Sequence, residues 1–591
     1  MMKMLYPVEN RFREVKDISG IWSFRADADG TGHNEKWYLT KLRDSIPMPV
    51  PSSYNDITQD ASLRDHIGDV WYQTEFYVPK AWEKERTVLR FGSVTHKAEV
   101  WLNGEYLTAH KGGYLPFETD ISHVAKFGEK NLLTVSVNNV LDFTTIPIGE
   151  IEEYDDARHP KGFKRQIIHH DFFNYAGIHR PVKLYKTAAS YVSDVLIHTD
   201  IKGTDGIVKY NASVVGAGSI RVELLDENES IAASAVGAEG CLVVPNAHFW
   251  NVGDGYLYTL RIILENNGAE IDSYEQKCGI RTFRVNGNAL ELNGKRVYLK
   301  GFGRHEDSDI RGKGMDNVTN IKDLNIMKWI GANSFRTSHY PYSEEIMDIA
   351  DREGFLVIDE CTAVGYNFWN EKRTVFCPER VSDAALSHHL DVMRELIDRD
   401  KNRPSVVMWS VANEAVTYEE RAVPYFEKVI SETRRLDPTR PVMIVESSRP
   451  HNCRVAQMVD VIGVNRYYTW YSDSGCIEIA EHQVREELEG WYNRFGKPVM
   501  MTEFGADAIA GFHSDPPQMF SEEYQRDLIE HYAHVFDTLD FLVGEHVWNL
   551  CDFNTKQGTT RVMGNRKGIF TRQRQPKMAA RFLRDRWKTI E

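Results

Sequence analysis

The sequence is poor in the features that mark disulfide-bonded, metal-clustered and membrane-spanning proteins. Its 591 residues include seven cysteines and no C-x-x-C pair, so we expect buried reduced thiols rather than a disulfide framework or a zinc cluster. The N-terminus turns polar and charged early, which leaves no apolar stretch long enough for a signal peptide or a membrane span. We therefore expect a cytoplasmic protein without a membrane partner.

The chain also lacks an excess of positive charge, since 71 Lys and Arg residues stand against 86 Asp and Glu residues and the formal net charge is -15. This balance argues against nucleic acid or an anionic membrane as a partner, because a phosphate-binding surface needs an excess of local cations. An anionic substrate would require a local cationic exception. The hydrophobic content of 42% and the charged content of 27% are ordinary for a globular protein. A chain of this length is expected to contain about three or four domains.

The first half of the chain has the pattern of β-structure. Short alternating strands with turn signals run from the start to about Tyr185, and they predict a β-sandwich. A smaller unit of the same style occupies residues 186–283. Its length suits an immunoglobulin-like sandwich, although the Cys/Trp/Cys core of antibody domains is absent.

After residue 283 the pattern changes to strand, loop and helix in repetition, which predicts a parallel sheet with crossover helices. Eight βα units over residues 284–591 favour a TIM barrel. The alternative is an open doubly wound sheet, which is less favoured because no G-x-G-x-x-G follows an early strand. The strand candidates begin at Val297, Asn333, Phe355, Ser405, Val442, Val461, Val499 and Val543.

Two glutamates lie at the ends of these strand candidates. Glu414 follows the fourth strand and Glu503 ends the seventh. The carboxyl ends of the strands form the active face of a TIM barrel. Cleavage of a glycosidic bond needs two carboxyls that are close in space, one to protonate the departing oxygen and one to attack the sugar carbon. A separation of about 5 Å would give the retaining double displacement.

Other polar and aromatic residues are predicted at the same face of the barrel. They are Arg304–Asp307, Arg336, His339, Asp359, Glu360, Asn465–Tyr471, Trp548 and Asn549. A sugar-binding pocket needs this mixture of polar groups and flat aromatic faces. The alternative for four of them, Arg304, Glu306, Asp307 and Arg336, is a structural ion pair inside the barrel mouth, and this interpretation is favoured for Arg336. No H-E-x-x-H motif is present, so no metal is predicted, and His531 with His534 is expected on an exposed helix.

The segment Arg561–Lys577 contains six basic residues and no acidic one. In an acidic protein this is a local cationic exception. It could be a solvated basic loop or a nucleic-acid patch, but Ile569, Phe570 and Pro576 should anchor it on the barrel. After strand eight it could present Lys567 and Asn565 to an anionic group on a sugar. A buried charged pair would then discriminate against a neutral analogue.

Four long motifs carry a resemblance to glycoside hydrolase family 2 over essentially the whole chain. They are Gly301–Asp307, Arg336–Tyr342, Arg399–Glu414 and Asn565–Arg572. The resemblance implies a multidomain protein with a jelly-roll sugar-binding-like domain over residues 1–185, an immunoglobulin-like β-sandwich over 186–283 and a catalytic (β/α)8 TIM barrel over 284–591. It also implies that no cofactor is required and that the chain forms a homotetramer or a homodimer.

The resemblance further implies roles for individual residues. Glu414 resembles the acid/base, Glu503 the nucleophile, Asn413 the residue that binds the sugar 2-hydroxyl, and Tyr467 the tyrosine beside the nucleophile. Asn565 and Lys567 match an N-x-K pair that reads the carboxylate of a glucuronate. Positions that match the lining of the sugar pocket are Asp171, His339, Asn465, Tyr471, Trp548 and Arg561. The implied activity is retaining, exo-acting hydrolysis of small-molecule or oligosaccharide β-glucuronides.

One stretch departs from some bacterial relatives. The segment Tyr366–Pro378 is short where those relatives carry a longer loop over the leaving group, so a more open mouth is expected. The preference between small and bulky glucuronides stays open. The rival enzymes are a β-galactosidase and a galacturonidase of the same architecture. The rival of another class is a non-catalytic carbohydrate-binding protein, against which the presence of both Glu414 and Glu503 argues.

Overall fold

The structure, a computed structural model, describes residues 4–369 and 372–590.

The first domain is a jelly-roll β-sandwich. The two main sheets have the strand orders β1-β14-β5-β9 and β3-β2-β4-β10-β7-β8, and they enclose a core that includes Val100, Leu133 and Val135. The elements are β1 (Val15–Asp17), β2 (Gly20–Ala26), β3 (Ile46–Val50), α1 (Ala61–Arg64), β4 (Asp69–Tyr77), β5 (Arg86–Phe91), β6 (Val94–Thr95), β7 (Lys97–Leu102), β8 (Glu105–Lys111), β9 (Phe117–Asp120), β10 (Lys130–Asn138), β11 (Gly149–Glu153), β12 (Lys164–Ile168), β13 (Gly177–Ile178) and β14 (Val182–Thr187).

The second domain is an immunoglobulin-like sandwich with its own core. A sheet of order β15-β16-β19 faces a sheet of order β18-β17-β20-β21, and the core between them includes Val195, Val222 and Leu260. The strands are β15 (Tyr191–Lys202), β16 (Asp205–Val215), β17 (Ser219–Leu225), β18 (Ile231–Val236), β19 (Glu239–Val244), β20 (Tyr258–Asn266) and β21 (Ala269–Cys278). The two predicted sandwiches are thus confirmed.

The third domain is a closed barrel of eight parallel strands, which rules out the open doubly wound sheet. A three-stranded antiparallel sheet precedes it. The strands are β22 (Phe283–Asn286), β23 (Ala289–Leu292), β24 (Lys295–Val297), β25 (Leu299–Gly303), β26 (Ser334–Arg336), β27 (Leu356–Glu360), β28 (Val406–Asn413), β29 (Val442–Glu446), β30 (Val461–Asn465), β31 (Val499–Glu503) and β32 (Leu542–Val547). The helices are α2 (Asn317–Ile330), α3 (Glu344–Glu353), α4 (Asp383–Asp400), α5 (Ala422–Leu436), α6 (Ala480–Phe495), α7 (Glu522–Phe536) and α8 (Met578–Trp587).

The barrel strands and helices follow from local sequence. Every residue of β28 is buried, as expected for a parallel strand that helices and barrel interior cover on both faces. Helix α3 begins after Ser343, whose side chain accepts a hydrogen bond from the Ile346 amide, and ends at Gly354 with φ of 71°. Strand β28 runs to Asn413 and so brings Glu414 to the barrel mouth.

The cysteines depart in part from expectation. All seven are unpaired, but Cys241 and Cys476 are exposed, which corrects the prediction of buried thiols for these two. Among the described residues, no helix is both long and apolar enough to cross a membrane. Within the short segment Tyr366–Pro378, positions 370 and 371 lie outside the described residues.

Candidate active site

A cavity of about 670 Å³ opens where the barrel strands end. It is lined by eleven of the twelve residues to which the resemblance assigns roles, that is, by all except Lys567. These residues are Asp171, His339, Asn413, Glu414, Asn465, Tyr467, Tyr471, Glu503, Trp548, Arg561 and Asn565. The structure therefore brings together side chains from the first domain and from most of the barrel units. Among the other polar and aromatic residues predicted at this face, Arg304–Asp307, Arg336, Asp359, Glu360, Thr469, Trp470 and Asn549 do not line the cavity.

Glu414 is held at the mouth by the end of β28. Its φ is 56°, and its amide donates a hydrogen bond to the Val445 carbonyl at 2.8 Å. A residue other than glycine in this left-handed region costs about 1–3 kcal/mol, so the surrounding structure must hold it there. The side chain accepts a hydrogen bond from Asn465 Nδ2 at 3.0 Å.

Glu503 ends β31, and only 4% of its surface is exposed. Its Oε1 accepts a hydrogen bond from Arg336 Nη2 at 2.5 Å, and its Oε2 accepts one from the Tyr467 hydroxyl at 2.7 Å. Both carboxylate oxygens are thus engaged by donors. A carboxylate fixed in this way is oriented to act as a nucleophile rather than as a proton donor.

Arg336 has a larger part in the site than the sequence indicates. It ends β26, is fully buried and forms the expected ion pair with Glu360, at 2.8 Å. The same guanidinium also forms the ion pair with Glu503. Although burial opposes the charge, Glu360 and Glu503 raise the pKa of Arg336 above its usual value. The position of Arg336 at a strand end indicated that it lies in the site. Nothing in the sequence indicated that Glu503 is its second partner.

His339 joins the same cluster. Its Nδ1 lies 2.8 Å from Glu360 Oε1, and its Nε2 lies 3.7 Å from Glu503 Oε1. Its ring stacks on Trp548 with centroids 5.0 Å apart. Trp548 packs so closely over Gly303 that a Cβ there would lie 2.5 Å from the indole ring, so the site needs glycine at this position.

The environments of the two glutamates differ. Burial and then the nearby charge of Glu503 raise the pKa of Glu414 to about 8, against the opposing hydrogen bond from Asn465. Glu414 therefore holds a proton at neutral pH, while Glu503 is ion-paired. Two carboxyls in such different environments are suited to opposite roles as acid and nucleophile.

An amide network surrounds Glu414. Asn465 Nδ2 donates to Asn413 Oδ1 at 3.2 Å as well as to Glu414, and Thr502 Oγ1 donates to Asn465 Oδ1 at 2.8 Å. Asn413 and Asn465 end β28 and β30. Such a connected network fixes the orientation of each amide in the low-dielectric interior.

The first domain contributes Asp171 to the cavity. Arg561 Nε donates to Asp171 Oδ1 at 2.9 Å, and Asn565 Nδ2 donates to Asp171 Oδ2 at 2.9 Å. Arg561 Nη2 also donates to the Tyr471 hydroxyl at 2.8 Å. The pocket is therefore completed across a domain boundary.

Lys567 lies behind the cavity wall with 1% of its surface exposed. Its ammonium forms an ion pair with Asp507 and donates to the Tyr471 hydroxyl at 2.9 Å. It lies 5.5 Å from the centroid of the Tyr467 ring, whose hydroxyl bonds Glu503. Burial alone would raise the pKa of Asp507, but Lys567 and Arg561 hold it below its usual value.

Asp507 is a residue that sequence reasoning missed. It follows Glu503 by four positions on the loop after β31, so its place on the active face of the barrel was readable. Other lining residues without a predicted role include His169, His170, Trp369, Arg449 and Lys556. Trp369 is 59% exposed and stands at the mouth.

The basic segment is not an open cationic patch. Each of its six basic residues has an acidic partner from elsewhere in the chain, and Asp552 is shared by two of them, so six cations face five carboxylates. The pairs are Arg561–Asp171, Arg566–Asp552, Lys567–Asp507, Arg572–Asp307, Arg574–Asp323 and Lys577–Asp552. The charges position the segment on the barrel instead of attracting a polyanion.

Comparison with known proteins covers all three domains. Family profiles match residues 15–188 (glycosyl hydrolases family 2, sugar binding domain), 190–281 (glycosyl hydrolases family 2) and 283–591 (glycosyl hydrolases family 2, TIM barrel domain). A beta-glucuronidase of Paenibacillus borealis is 56% identical over 99% of this chain and 98% of its own length.

Solved structures agree with these matches. The beta-D-glucuronidase of Dictyoglomus thermophilum superposes with a TM-score of 0.96 at 51% identity, over 100% of this chain and 99% of that one. The b-glucuronidase from Ruminococcus gnavus in complex with D-glucuronic acid superposes with a TM-score of 0.94 at 41% identity, over 99% of this chain and 100% of that one. The chain therefore belongs to glycoside hydrolase family 2 and is an enzyme of that family.

Proposed function

We propose that the protein is a retaining exo-β-glucuronidase that releases glucuronic acid from β-D-glucuronides through a covalent glycosyl-enzyme. The observation that carries the mechanism is the contrast between Glu414, with a pKa of about 8, and Glu503, ion-paired to Arg336. The names of the relatives and the D-glucuronic acid complex of the Ruminococcus gnavus protein support the substrate.

In the first half of the reaction, the protonated Glu414 gives its proton to the glycosidic oxygen. The Glu503 carboxylate attacks the anomeric carbon as the bond to that oxygen breaks, which forms a glycosyl ester and releases the aglycone as an alcohol. Arg336 and Tyr467 hold the attacking carboxylate in place.

In the second half, the ionised Glu414 takes a proton from water as that water attacks the anomeric carbon. The bond to Glu503 breaks and its carboxylate is restored, while Glu414 regains its proton. Two inversions at one carbon give net retention, so the first product is the β-anomer of glucuronic acid.

Recognition of the sugar carboxylate is assigned to Lys567 and Asn565, with Arg561 beside them. Asn565 Oδ1 accepts a hydrogen bond from the Lys567 amide at 3.0 Å, which fixes the two residues relative to each other. The hydroxyl of Tyr471, which lines the cavity, connects Lys567 and Arg561. A uronate carboxylate near Tyr471 would meet two cations, whereas a galactoside offers only a neutral hydroxymethyl group there.

The test compares the purified full-length protein on nitrophenyl β-glucuronide, β-galacturonide and β-galactoside. The glucuronide should be hydrolysed fastest, and proton NMR should detect the β-anomer of glucuronic acid first. Similar rates on glucuronide and galactoside would refute carboxylate selectivity, and an α-anomer as the first product would refute retention. The homotetramer and the cytoplasmic location stay predictions.

A further inference from the structure

We propose that Glu481, His531 and His534 form a binding site for one divalent transition-metal ion of the zinc class, separate from the active site. Glu481 lies in the first turn of α6, and the two histidines lie on α7. None of the three residues lines the active-site cavity.

The backbone presents the two histidines together. They are three residues apart on a helix, so their side chains share one face. Helices α6 and α7 pack against each other, which brings Glu481 to that face. His531 Nδ1 lies 2.9 Å from Glu481 Oε1, and His534 Nδ1 lies 3.0 Å from the same oxygen. The candidate ligand atoms all lie within 4.8 Å of one another.

These separations are close to those of a metal site. Zinc bonds of about 2.0–2.1 Å in a tetrahedron put neighbouring ligand atoms about 3.3 Å apart. The two distances from the histidines to Glu481 therefore need to lengthen by only a few tenths of an ångström, and rotation of the exposed His534 side chain would adjust the separation of the two imidazoles. Glu481 and His531 are half-buried, so part of the site is already ordered by packing, while His534 is exposed and leaves an open side for a water ligand.

The donor set selects the class of ion. Two imidazoles and one carboxylate, with a fourth position for water, form a set that zinc accepts in proteins. Calcium and magnesium require oxygen ligands and would bind weakly here.

The consequence of occupancy follows from the position of the two helices. Helix α6 follows the β30 unit, which carries Asn465, Tyr467 and Tyr471, and α7 follows β31, which ends in Glu503. An ion would connect two neighbouring barrel units on the helical layer. We therefore expect bound zinc to raise the thermal midpoint without changing the rate of hydrolysis.

The test uses the full-length protein without an affinity tag, stripped with a chelator and then dialysed against zinc chloride or cobalt chloride. The unaltered protein should bind zinc at least about tenfold more tightly than the variants His531→Ala and His534→Ala. Loss of a residue that orients a metal ligand already costs about tenfold or more in metal affinity, and loss of the ligand itself should cost at least as much. Cobalt should give a visible absorption band that both variants lose.

Two controls separate this cluster from other zinc ligands. His482→Ala removes an exposed histidine of α6 outside the cluster, and the double variant Cys241→Ser with Cys476→Ser removes the exposed thiols. Both should retain the high-affinity zinc and the cobalt band. The proposal is overturned if His531→Ala and His534→Ala bind zinc as the unaltered protein does, or if the cysteine variant abolishes binding. It is also overturned if zinc leaves the thermal midpoint of the unaltered protein unchanged while binding at this site.

Discussion

The ammonium of Lys567 forms an ion pair with the carboxylate of Asp507, so the cation proposed to recognise the substrate already has a partner in the folded protein. Both groups are buried. In the proposed function, selectivity for a uronate thus depends on a lysine whose charge Asp507 already compensates, and variants of Lys567 must be interpreted with that partner in mind.

Replacing this lysine should convert a selective enzyme into an unselective one. Lys567→Ala should lower kcat/KM for the glucuronide by at least about 100-fold, with a much smaller effect on any residual galactoside hydrolysis, because only the uronate loses a charged partner. Steady-state kinetics on both nitrophenyl glycosides measures the ratio.

The single variant also removes the nearer cation of the buried Asp507 and leaves only Arg561, at 4.0 Å, which destabilises the fold. The double variant Lys567→Ala with Asp507→Asn removes the stranded charge and should show the same loss of selectivity at higher thermal stability. Equal losses on glucuronide and galactoside in the double variant would contradict the recognition role.

The pH profile should report the proton on Glu414. The pKa of this group is raised from the ordinary 4.5 to about 8, so the acid form is present below pH 8 and is lost as the pH rises through that value. The first step needs the acid form, and kcat/KM for a glucuronide should therefore fall about tenfold per pH unit above about 8. A profile that stays flat up to pH 10, or in which kcat/KM already falls as the pH rises through 4.5, would contradict the assignment.

The activities of Glu414 and Glu503 variants should depend differently on the leaving group of the substrate. Glu414→Ala should lose about 10²–10⁴-fold in kcat/KM, which reports the first half of the reaction, for alkyl glucuronides, whose departing oxygen needs protonation, and far less for dinitrophenyl glucuronide. Glu503→Gln should abolish turnover of both substrates, because no glycosyl ester can form. Circular dichroism should show both variants folded. An equal loss for both substrates in Glu414→Ala would rule it out as the acid.

Arg336 should support both the fold and the reaction. Arg336→Gln leaves the buried carboxylates of Glu360 and Glu503 without their shared cation, and the barrel should lose roughly 3–5 kcal/mol of free energy of unfolding. Urea denaturation measures this loss. Arg336→Lys keeps the charge and should recover much of the stability but little of kcat, because an ammonium cannot bond both carboxylates in the same geometry. Unchanged stability in Arg336→Gln would contradict the shared ion pair.

Much of the barrel was readable in the sequence for a physical reason. Buried parallel strands are nearly continuous apolar runs, so segments such as Val442–Glu446 and Val499–Glu503 stand out, and the polar residue at each end marks the active face. The positions of Glu414 and Glu503 at strand ends followed directly.

The partners of charged residues were not readable in the same way. The pairs Arg561–Asp171 and Lys567–Asp507 join residues that are remote in sequence, and no local pattern specifies them. The sequence therefore predicted a basic segment anchored on the barrel but not the carboxylates that pair with it. For the same reason, the placement of Asp171 in the barrel mouth depended on the family resemblance and not on spacing or periodicity.

The most direct test of the mechanism is mass spectrometry of the protein after reaction with a 2-fluoro glucuronide, whose glycosyl-enzyme hydrolyses slowly. We predict a single added glycosyl group on the peptide that contains Glu503, formed with the unaltered protein and absent from Glu503→Gln. A label on any other residue, or rapid turnover with the α-anomer as first product and no label, would contradict the double displacement.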